Sequence, residues 1–161
     1  MRPAPQLQQQ IGYTFKQGDL LEHALTHRSY ANENRLSEHH ERMEFLGDSV
    51  LNLVVSEQLM HSLPGSSEGD LSRIRAAVVS EPSLAVVARE IGLGEYLRLG
   101  RGEEQTGGRD KDSLLADSLE ALVAALYLDG GITPAGEFIT RFFNDMIRKA
   151  QTDGGTSDYK T

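Results

Sequence analysis

The chain has 161 residues, which is enough for one domain with a sizeable core and too few for two. It carries 24 acidic against 16 basic side chains, a net charge of −8, so it lacks the basic surface typical of general nucleic-acid binders. It contains no cysteine, which excludes disulfides and thiolate metal sites. The first ten residues lack the apolar stretch of a secretory signal, and we expect a cytoplasmic protein with no membrane partner.

Hydrophobic periodicity is helical almost throughout, and the sequence therefore predicts an all-α fold. In chain order the predicted helices cover residues 6–11, 20–29 (capped by Asp19), 41–63, 70–80, 82–91, 112–128 and 134–150. Residues 92–108 carry six glycines and are predicted to form a mobile connection. Residues 1–150 are predicted to form one domain. Residues 151–161, rich in Thr, Asp, Gly and Ser, are typical of a linker.

Three acidic side chains share one stripe of the predicted helix 41–63. At helical spacing Glu41, Glu44 and Asp48 are neighbours. The stripe then turns apolar, and the opposite side is apolar too, which indicates a helix covered nearly all round. Unpaired carboxylates at the edge of a covered surface are costly, and a divalent cation is one remedy.

A second acidic pair, Asp117 and Glu120, lies on the predicted helix 112–128. Its face continues into Ala121 and Ala124, which are small enough to let another backbone approach. Two carboxylates about 5 Å apart repel by roughly 3 kcal/mol at an effective dielectric of about 20, so four converging on one point favour a bound cation. Carboxylate ligands without His or Cys favour Mg²⁺, Mn²⁺ or Ca²⁺ over zinc.

Spacing alone leaves other interpretations open. The acids are equally consistent with ordinary solvated side chains, because Glu-x-x-x-Asp pairs are common in charged helices. His23 and His27 have the spacing of a zinc pair, but no third ligand is suitably spaced. His39 and His40, predicted in a loop, are candidates for metal-free acid–base chemistry, although the carboxylate clusters would then have no role.

Residues 40–51, His-Glu-Arg-Met-Glu-Phe-Leu-Gly-Asp-Ser-Val-Leu, resemble the signature of the ribonuclease III endonuclease domain. Four other stretches resemble the same family in the same order: residues 26–29, 68–73, 97–100 and 115–122. The resemblance covers roughly residues 6–150. Two positions depart from it, since many relatives have Asn in place of His40 and Leu in place of Met43.

The resemblance implies an all-α, homodimeric domain that cleaves double-stranded RNA with Mg²⁺, with Mn²⁺ able to substitute. The products would carry 5′-phosphate and 3′-hydroxyl ends, in RNA processing such as rRNA precursor maturation. The implied metal ligands are Glu44, Asp48, Asp117 and Glu120, with Asp48 and Glu120 as catalytic residues. Implied further residues are the supporting acids Glu41 and Glu68 and the dimer contact Phe45. Plain core packing is the alternative role of Phe45.

Basic side chains supply candidate RNA contacts, namely Arg73, Arg109 and Lys111, for each of which a plain surface charge is the alternative. Bacterial members of the family usually carry an RNA-binding domain after this one. The last residues resemble its beginning, so 151–161 are predicted to be a linker or the truncated start of an absent domain. The rival functions are a non-catalytic RNA-binding or ribosome-associated relative and a helical dimerisation module.

Overall fold

The computed structural model describes the backbone of residues 1–159 and the side chains of residues 1–152. Within them the α-helices are α1 (Ala4–Ile11), α2 (Gly18–Ala24), α3 (Arg28–Glu33), α4 (Glu41–Ser62), α5 (Glu68–Val78), α6 (Glu81–Glu90), α7 (Arg101–Gln105), α8 (Asp112–Gly130) and α9 (Ile132–Tyr159). Two 3₁₀ helices, Leu93–Tyr96 and Gly108–Asp110, flank α7. Strand-like pairing in this part of the chain is limited to one isolated parallel bridge, between Thr26 and Arg98. The predicted all-α fold is confirmed.

Local sequence signals account for several helix ends. The hydroxyl of Ser67 accepts a hydrogen bond from the Asp70 N–H at the start of α5, and Ser80 does the same for α6. Gly12, with φ of 75°, ends α1 in the left-handed conformation that favours glycine. These ends lie within two residues of the predicted ones because the capping side chains act on adjacent backbone groups.

Helix α8 lies at the centre of the molecule and packs against α2, α4, α6 and α9. Its apolar side chains are buried on nearly every side, which is the pattern of a core helix. From α9, Phe138 and Phe143 are buried against this core and Phe142 is partly buried. None of the helices in the described residues is long and apolar enough to cross a membrane.

Two predicted segments were wrong. The helix predicted over 20–29 with Asp19 as its cap begins at Gly18, so Asp19 lies inside its first turn and Gln17 is the N-cap residue. The helix ends at Ala24, because the chain turns there to pair Thr26 with Arg98, and α3 begins at Arg28. The connection predicted over 92–108 is packed, with Leu93, Tyr96, Leu97 and Leu99 buried. Its glycines permit this packing, which local composition does not reveal.

The apolar sequence of α4 predicted a helix that is covered nearly all round, and this prediction was wrong. Phe45 is 81% exposed, Leu53 60% and Met60 67%, while the opposite side of the helix is buried. At the other end of the chain, α9 continues beyond the predicted end at residue 150, through Tyr159. Lys160 and Thr161 lie outside the described residues, and the division into residues 1–150 and 151–161 stays a prediction.

Candidate functional site

Helices α4 and α8 cross at Gly47, and this crossing brings the two acidic pairs together. A Cβ atom added to Gly47 would lie 1.7 Å from the carbonyl oxygen of Glu120 and 2.5 Å from its carbonyl carbon. The missing side chain therefore lets the two backbones touch at this point. Glu44 and Asp48 flank the contact on α4, and Asp117 lies one turn before Glu120 on α8.

The four carboxyl groups meet in two pairs. Asp48 lies close enough to Glu120, and Glu44 close enough to Asp117, for each pair to share a proton. Burial, then the hydrogen bond and negative charge of Asp48, raise the pKa of Glu120 to about 8. Burial, then the negative charge and hydrogen bond of Glu44, raise the pKa of Asp117 to about 6. The side chain of Asp117 keeps contact with solvent, so the negative charge of Glu44 beside it contributes strongly to the raised pKa.

These pairs fit a hard divalent cation by their chemistry but do not form a closed ligand set. In the described part of the chain, no three His, Cys, Asp or Glu side chains are arranged to hold a metal ion. All four donors of the crossing are carboxyl oxygens, which Mg²⁺ and Mn²⁺ prefer. A proton shared within each pair and a cation between the pairs relieve the same repulsion.

The two predicted supporting acids lie outside these pairs. Glu41, in the first turn of α4, forms an ion pair with Arg28 at 3.1 Å. Glu68, at the start of α5, accepts a hydrogen bond from the Ser72 hydroxyl at 3.1 Å. Both acids are exposed, and their supporting role stays a prediction.

The predicted RNA contacts differ in how far their charge is already engaged. Arg109 donates to the carbonyl oxygens of Gly94 and Leu97 and to the carboxylate of Glu104, which supports a structural role in the 92–108 segment. Arg73 is half-exposed and pairs with a neighbouring carboxylate on its own helix at 3.3 Å. The amino group of Lys111 lies 3.5 Å from a carboxylate oxygen. Contacts of all three with RNA stay predictions.

Sequence reasoning missed two residues at the site and placed a third wrongly. Gly47 was detectable, since an isolated glycine among good helix formers usually has a packing reason. Glu81, at the start of α6, adds negative charge near Asp117, but its sequence context carries no signal. His40 was predicted in an open loop and is only 2% exposed, with Nδ1 3.3 Å from Oε1 of Glu44.

Together the fold and the site define an all-α domain with four carboxyl groups at a helix crossing. A family model described as Ribonuclease-III-like matches residues 17–146. A protein named Ribonuclease 3 from Thermobifida fusca is 57% identical over 143 residues, covering 89% of this chain and 60% of that protein. Ribonuclease 3 from Clostridium tetani is 49% identical over 155 residues, covering 96% of this chain and 66% of that protein.

A solved structure of the nuclease domain of ribonuclease III from Campylobacter jejuni has a TM-score of 0.84 to this chain at 42% identity. The match covers 89% of this chain and 97% of that domain, which is described as flexible in a region involved in dimer formation. The chain belongs to the ribonuclease-III-like family, and the predicted family is confirmed. It spans less than two thirds of the length of the two curated relatives above.

Proposed function

We propose that this domain is a metal-dependent endoribonuclease that cleaves double-stranded RNA by hydrolysis of phosphodiester bonds. The observation that carries the proposal is the approach of Glu44, Asp48, Asp117 and Glu120 across the Gly47 contact. Mg²⁺ is the proposed cofactor, with Mn²⁺ as a substitute, because all four groups are oxygen donors. Family membership supports the reaction type.

Different groups of the chain have different roles in the proposed reaction. The four carboxylates bind the ion, and the close backbone contact at Gly47 keeps them from moving apart. Burial and the neighbouring carboxylates raise the pKa values of Asp117 and Glu120, and a bound ion would favour the charged form of both groups. When bound, a divalent cation supplies positive charge to the phosphodiester and favours deprotonation of the attacking water. Products with 5′-phosphate and 3′-hydroxyl ends are part of the proposal.

The proposal includes a homodimer formed through α4. The exposed side chains of Phe45, Leu53 and Met60 follow one side of this helix, an apolar stripe that a single chain leaves uncovered. A groove of about 580 Å³ adjoins Phe45, and its apolar lining includes Leu20, Met43, Leu46 and Leu128. A second copy would present the same helix and the same groove, which is what a two-fold symmetric contact requires.

The acidic charge of the chain bears on the substrate. With a net charge of −8, the domain cannot attract RNA by its overall field, so cations at the carboxylates must mediate the approach of the phosphates. We therefore expect weak RNA binding without divalent ions. A role in rRNA precursor maturation and a cytoplasmic location stay predictions.

The test uses purified protein and an end-labelled RNA duplex. Wild-type protein should cleave the duplex in Mg²⁺ and stop when EDTA is added, whereas Asp48→Asn and Glu120→Gln should lose cleavage and keep the fold by circular dichroism. Glu90→Gln, an exposed acid at the end of α6, is the matched control and should cleave normally. Full turnover by either site variant would refute the assignment. A duplex that is bound but never cut in any divalent ion would favour the non-catalytic relative.

A further inference from the structure

His40 is buried and lacks a hydrogen-bond partner for either ring nitrogen. Among the described residues, the buried polar side chains are those of Thr26, His40 and Ser118. The Thr26 hydroxyl donates to the carbonyl of Glu22 at 2.6 Å, and the Ser118 hydroxyl donates to that of Leu114 at 2.8 Å. Both nitrogens of His40 stay without a partner in this part of the chain. Burying a polar group without a hydrogen-bond partner is destabilising, so an unpaired imidazole calls for an explanation.

The backbone holds this imidazole in place. The N–H of His40 donates to the carbonyl of Thr26 at 3.0 Å, and the carbonyl of His40 accepts from the N–H of Glu44 at 3.0 Å. Thr26 is itself held by its bridge to Arg98. On one side the ring lies 5.4 Å, between centroids, from that of His27, whose Nδ1 already accepts from the N–H of Ser29. His27 is therefore a packing neighbour of His40.

On the other side the ring reaches the acidic site. Nδ1 of His40 lies 3.3 Å from Oε1 of Glu44, within ion-pair distance but without the geometry of a hydrogen bond. The Glu44 side chain is only 18% exposed, and its carboxyl group is at the same time engaged by Asp117. At this distance a reorientation of the carboxyl group would let it accept a hydrogen bond from the Nδ1–H of His40.

We propose that His40 is a positioning residue, whose Nδ1–H holds the carboxylate of Glu44 in the orientation that binds the divalent ion. The inference rests on the proposed function, because it requires that Glu44 is a metal ligand. Groups that orient metal ligands through hydrogen bonds typically change metal affinity about 10–100-fold when removed. His40 contacts neither the ion nor the RNA in this proposal, and it acts only through Glu44.

The stereochemistry of the side chains gives a sharp test. The amide nitrogen of Asn can occupy the place of Nδ1 of His, and that of Gln can occupy the place of Nε2. Leu keeps much of the apolar volume and has no donor. The variants are His40→Asn, His40→Gln and His40→Leu, with His61→Leu, an exposed histidine at the end of α4, as the matched control. Mn²⁺ affinity is measured without RNA by the loss of the free-ion electron paramagnetic resonance signal, and folding by thermal denaturation in EDTA.

We expect His40→Leu and His40→Gln to bind Mn²⁺ at least about tenfold more weakly than wild type, with His40→Asn and His61→Leu close to wild type. If His40→Leu does not fold, the comparison of Asn with Gln decides. Equal affinity of the folded Leu variant and wild type would overturn the inference, and so would equal affinity of the Asn and Gln variants. If the wild-type protein itself binds no Mn²⁺, the proposed function is wrong, and the role of His40 that rests on it is wrong as well.

Discussion

The contact between Gly47 and Glu120 makes a prediction with a magnitude that the structure supplies. In Gly47→Ala the new methyl group would lie 1.7 Å from the carbonyl oxygen of Glu120, whereas real Cβ contacts essentially never fall under 3.0 Å. Helices α4 and α8 must therefore separate by at least 1.3 Å, the difference between those two distances. Because the opposing atoms are backbone, no side-chain rotation can relieve the clash.

Two free-energy terms oppose each other in this variant. Alanine is favoured over glycine in a helix by about 1 kcal/mol. Overpacking typically costs about 1–3 kcal/mol, and a backbone clash belongs at the upper end. We expect a net loss of about 2 kcal/mol, which corresponds to a fall in Tm of about 4–8 °C for a chain of this length.

The effect on catalysis should be larger than the effect on stability. A misplacement of about 1 Å can cost about 100-fold in rate, and this separation would move Asp48 away from Glu120. The assay is kcat/KM on a labelled RNA duplex in Mg²⁺, with thermal denaturation of the same samples. We expect a loss of at least about 100-fold at temperatures where the variant is folded.

Gly136→Ala is the matched control for this substitution. Gly136 lies in α9, and an added Cβ would meet no atom within 4 Å. We expect this variant to gain up to about 1 kcal/mol in stability and to keep full activity. A Gly47→Ala protein with wild-type Tm and wild-type cleavage would refute the argument that the bare helix contact brings the carboxyl groups together.

Three further predictions follow from other contacts. Phe45→Ala should weaken dimerisation at least about 30-fold and leave the folding of the single chain nearly unchanged, because Phe45 is 81% exposed; sedimentation equilibrium that gives equal dimer constants would contradict this. In EDTA the stability should fall as pH rises from about 4.5 to 8, because the raised pKa of Glu120 means that the folded state binds more protons there than the unfolded state. Addition of Mg²⁺ or the substitution Glu120→Gln should make the stability measured in urea titrations less dependent on pH. An unchanged pH dependence in both cases would contradict the raised pKa of Glu120. Asp129→Ala should cost about 1 kcal/mol, because the Asp129 carboxylate accepts from the Tyr13 hydroxyl at 2.6 Å and from two backbone N–H groups. Burial alone would raise the pKa of Asp129, but these hydrogen bonds lower it. The stabilisation that the Asp129 carboxylate provides should therefore be lost in acid denaturation as the pH falls below about 4.

The sequence by itself determined the helices whose signals are local. Helical periodicity located the long helices α4 and α8, and capping residues such as Ser67 and Ser80 determined where the shorter ones begin. The ordered motifs were specific enough to predict the family. Each of these signals depends on neighbours within about one helical turn, and tertiary packing overrides such a signal in the predicted helix 20–29, which the bridge between Thr26 and Arg98 ends early.

Only the tertiary structure decided how distant residues meet. The pairing of Asp48 with Glu120 and the burial of His40 depend on the crossing of α4 and α8 and on the bridge between Thr26 and Arg98. The exposed side of α4 was also decided by the tertiary structure. Apolar residues buried in a core and apolar residues exposed on the surface of a single chain have the same sequence pattern. Contacts between helices are made by residues far apart in the chain, and periodicity carries no information about which faces come together.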